Sequence, residues 1–187
     1  MRMLAAAFIA ALPLCAQQPP APCAGLPPGR HALLERLTAN LNLTCEQQLK
    51  IEPLLHEEES VTKPLLQFTA LSPEDQQSIM ITIKLAARRQ VRTLLTADQQ
   101  KGMDSEVESV SRGGKKGGGK KVDPVVTFES EEKLSNAVES YAALTPQEKN
   151  TILIKVKRAA LADASLPLAP DQRRKLESQI EQLPHTK

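Results

Sequence analysis

Short segments typical of helix starts recur along this chain and constrain its fold more than any other feature. Four of them combine a leucine, a serine or threonine, and an acidic or amide residue three positions after the hydroxyl, and a fifth has lost the hydroxyl. They occupy residues 43–47, 71–75, 95–99, 144–148 and 168–172. The hydroxyl can accept from a first-turn N–H while the later side chain reaches back to the capping N–H, at about 1 kcal/mol per cap. The chain is therefore predicted to be all-α.

The apolar residues between these segments repeat with the period of a helix. They predict helices over residues 31–40, 45–68, 73–94 and 97–110, and helical structure again from about 129 to 183. In the third helix one stripe comprises Met80, Ile83, Ala87, Val91 and Leu94. Further apolar residues there (Ile79, Ile81 and Leu85) require more than one packing neighbour or leave an apolar face open. Only 2 % of the residues are aromatic, which favours helix-on-helix packing over a β-sandwich.

Two prolines, Pro53 and Pro64, lie inside the second helical stretch. Each removes an intrahelical hydrogen bond and is expected to bend or break the helix, at about 3 kcal/mol unless tertiary packing accommodates it. A bent helix would suit a curved hairpin. Two or three shorter helices with ordinary joints are the alternative.

The N-terminus has the layout of a secretory signal peptide at residues 1–16. Arg2 precedes an apolar stretch, Leu4 to Leu14, that is too short to span a bilayer stably, and the small Ala16 follows. Cleavage after Ala16 would leave a proline-rich tether at 17–29, and the expected location is the periplasm. A lipid anchor through Cys15 is the alternative form. No apolar run of about 18 residues occurs later, so no membrane span is predicted.

Two cysteines remain beyond the signal peptide, Cys23 and Cys45. In an oxidising compartment they could pair, closing a loop of about twenty residues worth roughly 3 kcal/mol. Two unpaired thiols are the alternative, because Cys23 lies in the proline-rich tether. The spacing of cysteine and histidine indicates no metal centre.

A glycine- and lysine-rich linker at 111–124 joins a helical unit at 30–110 to a second, truncated unit at 125–187. Shifted by 73 residues, segment 71–108 lies over segment 144–181 without a gap and with 12 identities in 38 positions. The shared proline, caps and register indicate a duplication. The predicted fold is therefore all-α, with bent helical hairpins in two related units. The linker's reach of about 20 Å would let the halves pack together or move independently.

Two of the helix-start segments carry a family resemblance. The sequence L-T-x-x-Q occurs at Leu43, Thr44 and Gln47 and again at Leu95, Thr96 and Gln99. This pair, with the export signal and flanking residues such as the doubled glutamines, resembles the LTXXQ-motif family of Spy and CpxP over roughly residues 31–108. The resemblance implies a periplasmic helical, coiled-coil-like protein that shields unfolding proteins without ATP or takes part in the envelope stress response. It also implies a homodimer, or here an intramolecular pseudo-dimer.

The predicted function is therefore binding of unfolded or partly folded envelope proteins, with no enzymatic activity and no cofactor. No nucleophile–base arrangement or phosphate loop is present, and the formal net charge of +2 predicts no nucleic-acid partner. Capping accounts fully for the motif residues, which form no catalytic site. The candidate client-binding face on the third helix comprises Ile79, Ile81, Arg88, Arg89 and Arg92.

The alternative function is metal sensing or binding by an exported helical protein. The sequence contains three histidines, and His56 has Glu59 one helical turn later, where both side chains could hold a metal. An ordinary acidic surface turn explains the same residues. The sequence alone leaves the clients, the oligomeric state and the choice between chaperone and sensor open.

Overall fold

The computed structural model describes residues 31–112, 128–163 and 168–183, together with Cys23 and Gly25. Side chains at 105–112 and 128 are not among those described. The predicted signal peptide, most of the tether and the greater part of the linker lie outside these ranges. Within them the chain forms α-helices and no strand, which confirms the all-α fold. The helices are α1 (Ala32–Leu41), α2 (Cys45–Gln67), α3 (Pro73–Thr93), α4 (Ala97–Arg112), α5 (Phe128–Ser140), α6 (Pro146–Ala162) and α7 (Pro170–Gln182).

The helix-start segments cap the helices that follow them. At α6 the Thr145 hydroxyl accepts from the Glu148 N–H at 3.3 Å, and the Glu148 carboxylate accepts from the Thr145 N–H at 2.9 Å. At α7, where Ala169 replaces the hydroxyl residue, only the return bond remains, from the Ala169 N–H to Gln172 Oε1 at 2.9 Å. The local sequence thus fixes where each helix begins.

Helix α2 runs without interruption through Pro53 and Pro64 for 23 residues, so the alternative of two or three shorter helices is wrong. Each proline still lacks an N–H for the helix ladder. Tertiary packing compensates, because α2 contacts α1, α3 and α5, and its apolar residues Ile51, Val61 and Leu65 are fully buried.

Cys23 and Cys45 form a disulfide, with Cα atoms 5.4 Å apart. Cys45 is the first residue of α2, so the bond attaches the segment around Cys23 to the beginning of that helix. Cys23 is itself buried. Of the two alternatives that the sequence left open, the structure shows the paired one.

The buried apolar residues form two clusters. The first core joins α1, the N-terminal half of α2, the end of α3 and Met103 of α4. The second core joins the C-terminal half of α2 and the N-terminal half of α3 to α5, α6 and α7. The two long helices α2 and α3 therefore contribute to both cores, and the boundary between the cores differs from the unit boundary predicted at residues 111–124.

Residues related by the 73-residue shift are buried alike. The matching pairs include Val61 and Leu134, Phe68 and Tyr141, Ile79 and Ile152, and Ile83 and Val156. Helix α2 packs against α5, and α3 contacts α6. Each half of the repeat thus presents equivalent apolar residues to the core that they share.

Reciprocal ion pairs join α3 to α6. The first-turn carboxylate of α3, Asp75, pairs with Lys155 at 2.8 Å, and the first-turn carboxylate of α6, Glu148, accepts two bonds from Arg89 at 2.9 and 2.8 Å. The bond from the Arg89 guanidinium holds the pKa of Glu148 below its ordinary value. All four side chains are partly exposed, so each pair contributes at most about 1 kcal/mol.

None of the helices in the described ranges combines the length and apolar character needed to cross a bilayer.

Candidate functional site

The two L-T-x-x-Q segments meet in the structure, although 52 residues separate their glutamines. Gln47 Nε2 donates to Gln99 Oε1 at 2.8 Å, and Gln99 Nε2 lies 3.2 Å from Gln47 Oε1. Each amide also caps the preceding helix of the other segment: Gln47 donates to the Leu94 carbonyl at 2.9 Å, and Gln99 donates to the Leu41 carbonyl at 3.1 Å. We call these paired amides the glutamine clasp.

Each clasp glutamine also completes the cap of its own helix. Gln47 Oε1 accepts from the Thr44 N–H at 3.0 Å, and Gln99 Oε1 accepts from the Thr96 N–H at 3.0 Å. The threonine hydroxyls accept from the glutamine N–H groups at 3.2 and 3.4 Å. The motif therefore satisfies the beginnings of α2 and α4 and the ends of α1 and α3 with four side chains.

The residues beside the clasp also have equivalent roles in the two segments. Leu43 and Leu95 are buried in the first core. Gln48 donates to the Leu43 carbonyl at 3.0 Å, and Gln100 donates to the Leu95 carbonyl at 3.1 Å. Sequence reasoning missed this role, for which the doubled glutamine in each segment was the available signal.

We predict that Gln99→Ala lowers the free energy of unfolding by about 2 kcal/mol, because it removes one cap bond and the bonds to Leu41 and Gln47. Gln172→Ala is the matched control, since Gln172 makes only a return bond at an exposed cap. Urea unfolding followed by circular dichroism measures both. In a double-mutant cycle, Gln47→Ala and Gln99→Ala should be coupled by about 1 kcal/mol. Strictly additive effects would show that the clasp contributes nothing.

The prediction that Ile79 belongs to a client-binding face on α3 is wrong. Its side chain is 2 % exposed and belongs to the second core, so it cannot contact a partner at the surface. Ile81, two residues later, points the other way and is 50 % exposed. Leu85, one turn further along α3, is 47 % exposed and extends the same outward stripe. The two neighbouring isoleucines thus have opposite environments.

The three arginines of the predicted face have different surroundings. Arg89 is bound to Glu148 of α6, and Arg92 pairs with Asp104 of α4 at 2.7 Å. Arg88, which directly precedes Arg89, lines a cavity described below. Lys84, which is not among the predicted face residues, lies three positions after Ile81 and adds a further cation to the outward stripe.

The histidine and carboxylate residues of the metal alternative come close together. His56 Nε2 lies 3.2 Å from Glu52 Oε1, its Nδ1 lies 3.9 Å from Glu59 Oε2, and the ring of His31 is 6.3 Å from the ring of His56. Across the described ranges, no three such side chains are arranged to hold a metal ion. His185 lies outside those ranges.

Comparison with known proteins gave no match: no family model, curated protein or solved structure is significantly similar to this chain. The resemblance to the LTXXQ-motif family therefore rests on the motif residues and their spacing.

Proposed function

We propose that this chain is an exported, non-enzymatic protein of the bacterial envelope that binds unfolded proteins without ATP, in the manner implied by its Spy- and CpxP-like motif pair. The observation that carries the proposal is the outward stripe of α3. We define this stripe as Ile81 and Leu85 with the neighbouring cations Lys84, Arg88 and Arg92.

The stripe combines the two properties that an unfolded, partly acidic client would require. Two large aliphatic side chains, each about half exposed, lie one helical turn apart and can bury apolar client surface at about 25 cal/mol per Å². Lys84 and Arg88, which unlike Arg92 form no ion pair within the described ranges, favour encounter with negatively charged segments. Binding of this kind needs no deep pocket and tolerates many sequences, as a chaperone surface must.

The disulfide supports export. Cys23 and Cys45 form a disulfide. Disulfides form and persist in oxidising compartments such as the periplasm and are rare in the bacterial cytosol. The pairing thus agrees with the signal peptide expected at residues 1–16.

The repeat supports an intramolecular pseudo-dimer. The hairpin α2–α3 and the hairpin α5–α6 bury matching residues, and reciprocal ion pairs link α3 to α6. We propose that a duplicated hairpin supplies, within one chain, the packing that a homodimer would otherwise provide.

The test is light scattering from an aggregating, chemically unfolded client at increasing ratios of the oxidised protein, without ATP. The protein is first checked for a monomeric mass, as the intramolecular pair requires. Suppression of aggregation near stoichiometric ratios is the expected result.

We predict that Ile81→Ser with Leu85→Ser raises the protein concentration needed for half-suppression by about tenfold, because it removes the exposed aliphatic surface of the stripe. Leu49→Ser with Leu66→Ser is the matched control, since those leucines of α2 are 44 % and 60 % exposed. Equal loss in both double variants would show that general surface hydrophobicity, and not the stripe, binds clients. No suppression by the unaltered protein across several clients would exclude general chaperone activity.

A further inference from the structure

A cavity of about 370 Å³ lies among α1, α2, α3 and α4, away from the clasp glutamines. Its apolar wall is formed by Leu37, Leu55, Ala87, Val91 and Met103, all of which are buried. The volume falls within the range of about 300–1,000 Å³ that small-molecule sites occupy. The exposed aliphatic side chains of the α3 stripe, Ile81 and Leu85, do not line it.

The remainder of the cavity wall is charged and predominantly basic. Among the described residues it carries Arg36, Lys84 and Arg88, with His31, against one carboxylate, that of Glu58. Burial raises the pKa of Glu58, and the charges of Lys84, His31 and Arg88 oppose that rise without a direct ion pair. Within the described part of the chain, neither Lys84 nor Arg88 has a carboxylate within 4 Å. The cavity therefore has an excess of positive charge above an apolar wall.

In the second half of the repeat the equivalent residues are in direct contact with each other. Glu131 and Lys157 correspond to Glu58 and Lys84 under the 73-residue shift, and they form a buried ion pair at 3.1 Å. Gln179 of α7 accepts from Lys157 at 2.9 Å and completes the cluster. The ion pair is thus formed by Glu131 and Lys157 in the second half, whereas Glu58 and Lys84 of the first half form no direct ion pair.

The difference has a structural cause. Helix α7 packs directly on α6 and its Leu176 is fully buried, whereas α4 packs on α1, a helix with no counterpart among the described residues of the second half. Met103, which corresponds to Leu176, lines the cavity instead. Arg88 corresponds to Leu161, so the second cation of the cavity is also specific to the first half.

We propose that this cavity binds a small anionic amphiphile, namely a medium-chain carboxylate whose aliphatic tail contacts the apolar wall and whose head group is held by Lys84 and Arg88. Lys84 and Arg88 are one helical turn apart on α3, so both can reach one carboxylate. A tail of about eight to ten carbons suits a cavity near the lower end of the small-molecule range. This ligand site goes beyond the proposed client binding: it shares Lys84 and Arg88 with the outward stripe but not the aliphatic side chains Ile81 and Leu85.

Isothermal titration calorimetry with monomeric decanoate at pH 7.5 tests the proposal. The expected result is binding at a one-to-one ratio, with decyltrimethylammonium and butyrate at least tenfold weaker, because the first carries the wrong charge and the second lacks the tail. Lys84→Gln and Arg88→Gln should each weaken decanoate binding by roughly tenfold, the value of one charge-assisted hydrogen bond. Lys63→Gln, on an exposed lysine outside the cavity, should leave it unchanged.

A substitution at Glu58 is expected to strengthen decanoate binding, the opposite of the effect at Lys84 and Arg88. Glu58→Gln removes the negative charge that the described cavity wall sets against the ligand, and decanoate should then bind several-fold more tightly. A purely structural role of Glu58 would weaken binding or leave it unchanged, which would contradict the proposal.

The proposal is overturned if decanoate does not bind, if decyltrimethylammonium binds equally well, or if the Lys84→Gln/Arg88→Gln variant keeps full affinity while its circular dichroism is unaltered. Decanoate binding and client binding can be tested separately. Ile81→Ser with Leu85→Ser should reduce aggregation suppression but leave decanoate affinity within twofold, since neither side chain lines the cavity.

Discussion

Lys157→Met is expected to lower the free energy of unfolding by about 3–5 kcal/mol, the cost of leaving one member of a buried ion pair without its partner. Lys157 and Glu131 are 6 % and 2 % exposed, and their charged atoms are 3.1 Å apart. With the lysine removed, the Glu131 carboxylate retains the Ser135 hydroxyl at 2.7 Å but no positive charge. That single neutral donor compensates little of the desolvation cost.

The matched control is Lys84→Met, which alters the same residue at the equivalent position of the repeat. Lys84 lines the open cavity and is exposed, so the change should cost less than about 0.5 kcal/mol. Urea unfolding followed by circular dichroism and by the fluorescence of Tyr141, the only tyrosine, measures both. Because Tyr141 belongs to the second core, the urea midpoint measured by its fluorescence should fall in the Lys157→Met variant.

Replacing both members of the buried pair, as Glu131→Leu with Lys157→Met, should restore most of the lost stability, because an apolar pair of similar volume avoids the desolvation cost. A loss in the double variant equal to the sum of the single losses would mean that packing, and not charge, accounts for the effect of Lys157→Met.

Loss of the disulfide is expected to lower the free energy of unfolding by about 3 kcal/mol, because Cys23 and Cys45 are 22 residues apart and the bond restricts the unfolded chain. Reduction also frees the segment at Cys23 from the beginning of α2. The measurement is the urea midpoint of the oxidised protein with and without a thiol reductant.

The Cys23→Ser/Cys45→Ser variant is the control for this effect. It should unfold at the same urea concentration as the reduced protein and should not respond to reductant. An unchanged midpoint on reduction would show that the first core holds the segment without the covalent bond. The disulfide is attached to the beginning of α2, whose N-terminal half belongs to the first core, whereas Tyr141 belongs to the second core. A change in the urea midpoint that is seen by circular dichroism but not by Tyr141 fluorescence would therefore mean that the cores unfold separately.

Local sequence chemistry determined where the helices lie. The boundaries predicted at Cys45, Pro73 and Ala97 are those of α2, α3 and α4, because caps and first-turn prolines act within one turn of the chain. The near-absence of aromatic residues and the helical period of the apolar ones were sufficient for the all-α class. Capping residues could be recognised without any knowledge of their distant neighbours.

The site depended on contacts that local patterns do not contain. Capping explained Gln47 and Gln99 separately, but only the folded chain brings their amides within 2.8 Å of each other. Ile79 and Ile81 have the same chemistry, and helix periodicity alone did not decide which of them would face the second core. The position of α5 and α6 against α2 and α3 decided it.

By itself, the sequence of this protein determined the helices, their caps and the correspondence between the two halves, since these follow from interactions a few residues long and from direct comparison. The tertiary structure alone decided that α2 continues through its prolines and that Cys23 pairs with Cys45. It also decided that Lys157 is buried whereas its counterpart Lys84 is exposed. The reason is physical: burial depends on which helix covers a side chain. Within the described ranges, α1 has no counterpart in the second half, so equivalent positions in the two halves are covered by different helices.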